Sequence, residues 1–175
     1  MNLFLDVRRP DRDAVSRLLV DLDAKYPNGL DWLQRRLDDI EAGRARLCQL
    51  MNGAELVALG IQTPKGPHRL KLSTFMVAAS SRRAGLGRTL IEAMRRQWLS
   101  DEIEQVTVTV DELDRNTVRF FQRHGFVRVP RARARYAAGR ADLVLCWRAE
   151  HDAGPPRDRV APLGAIPRLT DPPDR

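Results

Sequence analysis

The stretch that decides the fold covers residues 75–91 and reads FMVAASSRRAGLGRTLI. Its first residues end a run of alternating side chains, 69–78, which predicts a β-strand. A polar segment rich in arginine and glycine follows, and apolar residues then recur at helical spacing from Leu86 onwards. The stretch therefore predicts a strand, a basic glycine-containing turn and a helix in direct succession.

The turn between this strand and this helix has the properties of an anion-binding site. A helix N-terminus leaves about four backbone N–H groups without intrahelical partners and carries about half a positive charge. Gly85 and Gly87 remove the Cβ atoms that would block a close ligand. Arg82, Arg83 and Arg88 add fixed positive charge, so the segment predicts a pyrophosphate site.

The glycine spacing excludes two common nucleotide-binding motifs. Gly85-x-Gly87 is not followed by the third glycine of a dinucleotide fingerprint, and the chain has no Gly-Lys-Ser/Thr of a P-loop. Taken alone, a Gly-x-Gly turn can also be a plain turn. The rest of the chain has to decide between these interpretations.

Upstream, the hydrophobic pattern alternates between the strand period of two and the helix period of 3.6. It predicts a strand at 3–7, a helix capped by Asp11 or Asp13, a second helix that stops at Gly43, strands at 46–51 and 55–62 joined at Asn52-Gly53, and a loop at 64–67. In the strand at 69–78, the alternation places Leu70, Leu72, Thr74 and Met76 on one face and Lys71, Ser73, Phe75 and Val77 on the other.

Downstream, the pattern predicts a second set of short elements. They are a strand at 104–110, a helix capped by Asp114 and ended by Gly125, strands at 126–129 and 141–148, and an arginine-rich loop at 131–140. The predicted order is β-α-α-β-β-β-α-β-α-β-β, which indicates a mixed α/β fold. We expect one domain over 1–150 and a mobile tail over 151–175, which holds six of the eleven prolines.

Composition excludes several classes of protein. Cys48 and Cys146 are the only cysteines, and with three histidines at no metal-ligand spacing they predict neither a zinc site nor a disulfide scaffold. No apolar run approaches the about 18 residues of a membrane span, and we recognise no signal peptide at the start. We therefore expect a reduced, cytoplasmic protein without a metal.

A second motif lies near the predicted end of the domain. Asn116 precedes an aromatic pair, Phe120 and Phe121, and then the dipeptide Gly125-Phe126. Together with Arg82-x-x-Gly85-x-Gly87 after a strand, this pattern resembles the two signatures of the GNAT acyltransferase superfamily. The order of elements matches as well, and the resemblance covers about residues 1–148.

The resemblance implies a GNAT fold: a mixed, mostly antiparallel sheet with splayed fourth and fifth strands and helices on both faces. It implies that backbone groups of Phe75, Met76 and Val77 bond the pantetheine arm of coenzyme A, and that Asn116 fixes the arm or the following helix. Backbone N–H groups would take the pyrophosphate beside Arg82, from Arg83, Ala84, Gly85, Leu86, Gly87 and Arg88. The implied reaction is direct attack of a neutral amine on a thioester such as acetyl-CoA, with the carbonyl polarised by a strand N–H.

Two departures from the family pattern bear on mechanism. The turn usually has glycine after its first arginine, and here Arg83 stands there, where it can crowd the pyrophosphate or grip it. The family often places a tyrosine, as general acid, four residues before the Gly-Phe glycine, and that residue is Phe121 here. Only Tyr26 and Tyr136 can replace it, and Tyr136 is the candidate because it borders the expected acceptor site. Many such enzymes can work without a dedicated acid, since a thiolate is a fair leaving group.

Asp111 and Glu112 are the candidate general bases. They follow the predicted fifth strand and can accept a proton directly or through water. The alternative is that they form a solvated turn and favour the N-terminus of the next helix.

The net charge of +7 is concentrated in one part of the chain. Residues 1–114 hold 17 basic and 17 acidic side chains, whereas 115–148 hold nine arginines and one acid, Asp142. Such a block favours an anionic partner, although it can also be a solvated loop. Six of these arginines are candidates for a nucleic-acid or anionic-substrate surface: Arg119, Arg123, Arg131, Arg133, Arg135 and Arg140.

Three functions remain open at this point. The first is an N-acyltransferase that uses acetyl-CoA or another acyl-CoA and an amine acceptor. The second is a tRNA-dependent GNAT enzyme, with aminoacyl-tRNA as acyl donor or as acceptor; the basic block, Arg83 and Phe121 favour it. The third is a non-catalytic ligand-binding module on the same fold. The acceptor is not encoded in a recognisable motif, and neither is the oligomeric state, although homodimers are common for the fold.

Overall fold

The computed structural model describes residues 1–21, 28–134 and 142–152, and for 131–134 and 151–152 it describes the backbone only. Several predictions fall outside these residues. They concern Tyr26, Arg135, Tyr136 and Arg140, and all but the first two residues of the tail at 151–175.

The described elements follow the predicted order. They are β1 (Asn2–Phe4), α1 (Arg12–Leu18), α2 (Gly29–Glu41), β2 (Arg46–Asn52), β3 (Glu55–Gly66), β4 (Arg69–Val77), α3 (Leu86–Ser100), β5 (Gln105–Asp111), α4 (Arg115–Arg123), β6 (Val127–Ala134) and β7 (Asp142–Arg148). Single 3-10 turns cover Ala79–Ser81 and Ala149–Asp152. Two predicted caps are confirmed, because the side chains of Asp11 and Asp114 accept from the N–H groups of Ala14 and Thr117.

Two predicted loops are wrong. β3 continues through Pro64 to Gly66 and pairs with β4 up to Arg69, with a register shift between Pro64 and Gly66. A shift of this kind lets a strand include proline, which has no N–H for the ladder. Similarly, 131–134 are strand and not loop, because Arg133 and Ala134 pair with β7.

Seven strands of the described chain form one sheet in the order β1-β2-β3-β4-β5-β7-β6. All neighbours are antiparallel except β4 and β5. That parallel pair is short, running from Arg69 opposite Gln105 to Leu72 opposite Val108. Beyond it, β4 pairs only with β3 and β5 only with β7. The splay of the fourth and fifth strands is therefore confirmed, and we call the gap the β4–β5 opening.

A β-bulge at Ser73 lies where the β4–β5 opening begins. Leu72 pairs with Gln62 and Thr74 with Ile61, so Ser73 is an extra residue on β4. The extra residue reverses the alternation, and Phe75 and Val77 therefore pack on the same core as Leu70 and Leu72. The predicted face assignment is wrong for residues after Ser73, because simple alternation cannot include a bulge.

Two cores cover the two faces of the sheet, which confirms helices on both sides. One core packs α3 and α4 against the sheet through residues such as Leu90, Met94 and Phe121. The other packs α1 and α2 through residues such as Val15 and Leu37. The β4–β5 opening therefore has an α3–α4 side and an α1–α2 side.

A buried polar chain fixes α3 on the sheet. The indole Nε1 of Trp98 donates to Oε1 of Gln62, and Nε2 of Gln62 donates to Sγ of Cys48 at 3.3 Å. Gln62 and Trp98 are fully buried, so these bonds satisfy groups that water does not reach. Burial raises the pKa of the Cys48 thiol to about 11, which keeps it protonated and unreactive.

Candidate functional site

The end of β4 presents backbone groups to the β4–β5 opening. The N–H of Ala78 donates to the carbonyl of Val57 at 2.8 Å, so this pair faces β3. In an antiparallel ladder such pairs alternate, and the pair of Met76 with Leu59 also faces β3. Phe75 and Val77 therefore direct their N–H and carbonyl groups toward the opening. Of the three residues expected to contact the pantetheine arm through the backbone, the register leaves Phe75 and Val77 and excludes Met76.

The segment after β4 follows the predicted sequence of turn and helix. The 3-10 turn Ala79–Ser81 leads to Arg83 at φ +65° and Gly85 at φ +79°, and α3 begins at Leu86. Both values lie in the left-handed region, which glycine adopts freely and other residues adopt at a cost. Arg83 thus keeps a glycine-like backbone with an arginine side chain. We call residues 82–88 the arginine–glycine turn.

The N-terminus of α3 differs from those of α1 and α4. No side chain caps this helix, whereas Asp11 and Asp114 cap α1 and α4. A Cβ placed on Gly85 would meet nothing within 4 Å, so the space above the turn is open. The first N–H groups of α3 therefore lie beside open space, which fits an anionic group.

Gly87 has a structural role that the sequence did not indicate. A Cβ at this residue would lie 3.3 Å from Cε2 of Phe120 and 3.5 Å from Cγ2 of Val77. The missing side chain lets α4 pack closely on the start of α3. Gly87 therefore allows α3 and α4 to pack closely, while Gly85 gives the turn its left-handed conformation.

The arginines of the turn are held in different ways. Nε of Arg82 donates to the carbonyl of Val77 at 3.2 Å, so this guanidinium folds back over the end of β4. Nε of Arg88 donates to Glu92 at 2.8 Å along α3. That hydrogen bond lowers the pKa of Glu92 and raises the pKa of Arg88. Arg83 has no ion pair among the residues that the structure describes.

The residue at the family's tyrosine position lies in an aromatic cluster. Phe121 is 2% exposed, and its ring centroid lies 5.7 Å from Phe75 and 5.1 Å from Phe126. Phe120 contacts the rings of Phe75 and Phe121. On the α3–α4 side, the end of β4 therefore packs against phenylalanine rings, which cannot donate a proton. Asn116 is exposed in the first turn of α4.

Two carboxylates lie on the α1–α2 side of the same opening. Asp111 ends β5, is half-buried and accepts from the N–H of Leu113 at 2.9 Å. Asp142, which is 6% exposed, pairs with Asp111 across β5 and β7. Sequence reasoning missed Asp142 because only the strand register brings it opposite Asp111. Glu112 points elsewhere, with its Oε1 3.7 Å from Nη2 of Arg128.

The predicted anionic-partner surface is described only in part. Arg119 and Arg123 lie exposed on α4. Arg131 and Arg133 belong to β6, and their side chains are outside the description. Arg135, Arg140 and the candidate acid Tyr136 lie outside the described residues altogether.

Within the described residues, no group of three or more His, Cys, Asp or Glu side chains is arranged to hold a metal ion. The same part of the chain contains no helix that is long and apolar enough to cross a membrane.

Comparison with known proteins links this geometry to one family. Residues 28–139 match the family model described as an acetyltransferase (GNAT) domain. A search of curated proteins found no significant match. Similar solved structures include the ribosomal-protein-S18-alanine N-acetyltransferase of Escherichia coli, with a TM-score of 0.70 and 16% identity over 84% of this chain and 92% of that one.

Two further structures contain the expected type of ligand. A PaiA N-acetyltransferase from Thermoplasma acidophilum, in complex with coenzyme A, has a TM-score of 0.66 and 11% identity over 85% of this chain and 99% of its own. A GNAT family acetyltransferase from Elizabethkingia anophelis, with acetyl-CoA bound, has a TM-score of 0.63 and 9% identity over 84% and 97%. At these identities the likeness establishes the fold alone.

Proposed function

Because the chain belongs to the GNAT family of acetyltransferases, we propose that it transfers an acyl group from acetyl-CoA, or another acyl-CoA, to an amine acceptor. Membership of the family makes the protein an acetyltransferase. We propose in addition which acyl donor it uses and which residues bind that donor. The same experiment tests which amine is the acceptor and whether aminoacyl-tRNA replaces acyl-CoA as the donor.

One observation carries the proposal. The arginine–glycine turn combines two left-handed residues with an uncapped 15-residue helix and open space above Gly85. It lies directly after the strand whose Phe75 and Val77 direct backbone groups into the β4–β5 opening. A ligand with a pyrophosphate and an amide-containing arm matches both features at once.

In this proposal the chain's own groups bind and orient the donor. N–H groups from Arg83 to Arg88 hold the pyrophosphate, Arg82 and Arg83 add charge, and Asn116 stands at the adjoining end of α4. The backbone of Phe75 and Val77 holds the arm. Acyl-CoA supplies an activated thioester carbonyl, which a strand N–H at the opening polarises.

Asp111 is the proposed general base. It stands at the end of β5 on the α1–α2 side of the opening, where an amine can approach the strand. Asp142 lies opposite it on β7 and is 6% exposed. Glu112 is the weaker candidate because its Oε1 lies 3.7 Å from Nη2 of Arg128.

Leaving-group protonation by tyrosine has no candidate among the described residues, since the two tyrosines, Tyr26 and Tyr136, lie outside them. Phe121 is buried among rings and cannot serve. We propose that the thiolate leaves without a dedicated acid. The rate should then stay level at alkaline pH, and Tyr136→Phe should change kcat less than about tenfold, well below the usual contribution of a general acid.

One observation favours the alternative donor, aminoacyl-tRNA. The exposed arginines of α4, Arg119 and Arg123, fit the phosphates of a tRNA. The test incubates the purified protein with acetyl-CoA and a panel of amines, including peptides with free N-termini, and measures release of free CoA. A second arm replaces acetyl-CoA with aminoacyl-tRNA. Turnover in the first arm supports the proposal; turnover in the second arm alone, or in neither, overturns it.

A further inference from the structure

An exposed row of arginines runs along α4. Arg115, Arg119 and Arg123 are four residues apart and are all exposed. Four residues of helix advance by about 6 Å, so the three side chains project from one face over about 12 Å. We call these three residues the arginine stripe.

The arginine stripe is not neutralised by the described part of the chain. Its residues take part in none of the ion pairs there. The helix itself contains no Asp or Glu. On the neighbouring α3, Glu92 is already bonded to Arg88 at 2.8 Å.

The stripe opposes the stability of its own helix. Like charges four residues apart on a helix repel each other, and here two such pairs follow one another. Arg115 is also the first residue of α4, where the helix dipole is positive and a cation is unfavourable. Arg123 lies in the last turn, at the favourable end of the dipole, so the unfavourable part is the two like-charge pairs and Arg115. An anionic partner outside the fold would relieve this repulsion.

The charge distribution shows which kind of partner fits. Residues 115–148 carry nine arginines and one acid, so the remaining 141 residues sum to −1 in a chain of net charge +7. A surface with one concentrated sign attracts a ligand of the opposite sign over a distance. In a DNA duplex each strand presents a phosphate about every 3.4 Å of axis, so the length of the stripe corresponds to about three or four phosphates of one strand.

Two further features select among polyanions. The apolar side chains of α4, namely Val118, Phe120 and Phe121, pack against the core, which leaves no apolar face for lipid. With these rings turned inward, α4 also offers no stacking platform for unpaired bases. Gln122 is exposed between Arg119 and Arg123 and can bond a 2′-hydroxyl, which only RNA carries. We propose that the arginine stripe docks the phosphate backbone of double-helical RNA, independently of which acyl donor is used.

The experiment compares two variants of equal charge by fluorescence anisotropy with a labelled 20-base-pair RNA duplex. The test variant is Arg115→Gln/Arg119→Gln/Arg123→Gln. The matched control is Arg9→Gln/Arg17→Gln/Arg35→Gln, which removes three exposed arginines that make no ion pair in the described chain. Thermal unfolding of both variants checks the fold, and the test variant should melt no lower than wild type.

We expect the test variant to bind RNA at least tenfold more weakly, with a salt slope reduced by about 2 to 3, while the control changes less than twofold. Equal weakening of both variants, or of neither, overturns the proposal. Stripe-dependent binding of phosphatidylglycerol vesicles without RNA binding also overturns it, as does equal stripe-dependent affinity for the same duplex made of DNA. Donor binding is measured separately with acetyl-CoA, so failure of the proposed acyl transfer is distinguishable from failure of RNA docking.

Discussion

At the scale of single residues, the backbone of Arg83 is the clearest departure from what a side chain prefers. Its φ of +65° belongs to the region where glycine is unstrained. We predict that Arg83→Gly stabilises the protein by about 0.5–1 kcal/mol, the difference between left-handed strain and the added flexibility of glycine. Chemical denaturation measures it. Arg9→Gly, at an exposed residue without positive φ, should not stabilise; an equal gain there would contradict the explanation.

Asp111 and Glu112 make a matched pair for testing the proton acceptor. Asp111→Asn should lower kcat/KM by about 10²–10⁴-fold, the usual contribution of a general base, with little effect on donor affinity. Glu112→Gln should change kcat/KM less than threefold, because its carboxylate lies beside Arg128. Steady-state kinetics with the best amine of the panel decides the matter. A larger effect at Glu112 would move the base to that residue.

At the scale of elements, the contact between α3 and α4 depends on one missing methyl group. A Cβ at Gly87 would press on the ring of Phe120 at 3.3 Å. We predict that Gly87→Ala is more favourable by about 0.5–1 kcal/mol in a Phe120→Leu background than in wild type, because the smaller side chain can yield. A double-mutant cycle of unfolding free energies measures this coupling. A coupling of zero would mean that Gly87 is not retained for packing.

The buried hydrogen bonds that hold α3 on the sheet end at the Cys48 thiol, whose ionisation makes the free energy of unfolding depend on pH. The folded pKa of Cys48 is about 11 against an ordinary value of 9.0, so only the unfolded thiol ionises between these values. Stability from this group is therefore complete below pH 9 and falls as pH rises toward 11. Wild type should lose about 2 kcal/mol more than Cys48→Ala over this interval. Parallel losses in the two proteins would show that the thiol does not ionise on unfolding.

At the scale of the whole molecule, the proposed boundary near residue 150 separates domain from tail. Among the described residues, both cores are built from residues before this boundary. A chain that ends at Asp152 should therefore keep its melting temperature within about 2 °C and its affinity for acetyl-CoA. A large drop in melting temperature would show that the tail belongs to the fold.

The order of elements was predictable from sequence because periodicity, caps and turn residues agree along most of the chain. Asp11, Asp114, Gly85 and Gly125 mark their helix ends correctly. The bulge at Ser73 was not predictable, since it inserts a residue into an alternating pattern that itself looks regular. The predictions of loop at 64–66 and 131–134 were wrong for a related reason. Segments rich in proline or arginine resemble loops when the strand that pairs with them is unknown.

Some features of the candidate site were likewise predictable from neighbouring residues, and others depend on contacts between distant segments. The arginine–glycine turn lies within seven consecutive residues, and its conformation follows from its own glycines and helix start. The pairing of Asp111 with Asp142 and the packing of Gly87 on Phe120 depend on contacts between distant segments. The selection of Phe75 and Val77 over Met76 depends on register with β3, which sequence alone does not fix.

The central claim is that the arginine–glycine turn binds the donor, and calorimetric titration with acetyl-CoA at about 150 mM salt tests it most directly. The comparison is between Gly85→Val and Gly53→Val, because both glycines have positive φ and open space around a new Cβ, and Gly53 lies in a distant hairpin. We predict saturable micromolar binding by wild type and Gly53→Val, and at least tenfold weaker binding by Gly85→Val. No binding by wild type, or equal binding by both variants, would contradict the claim.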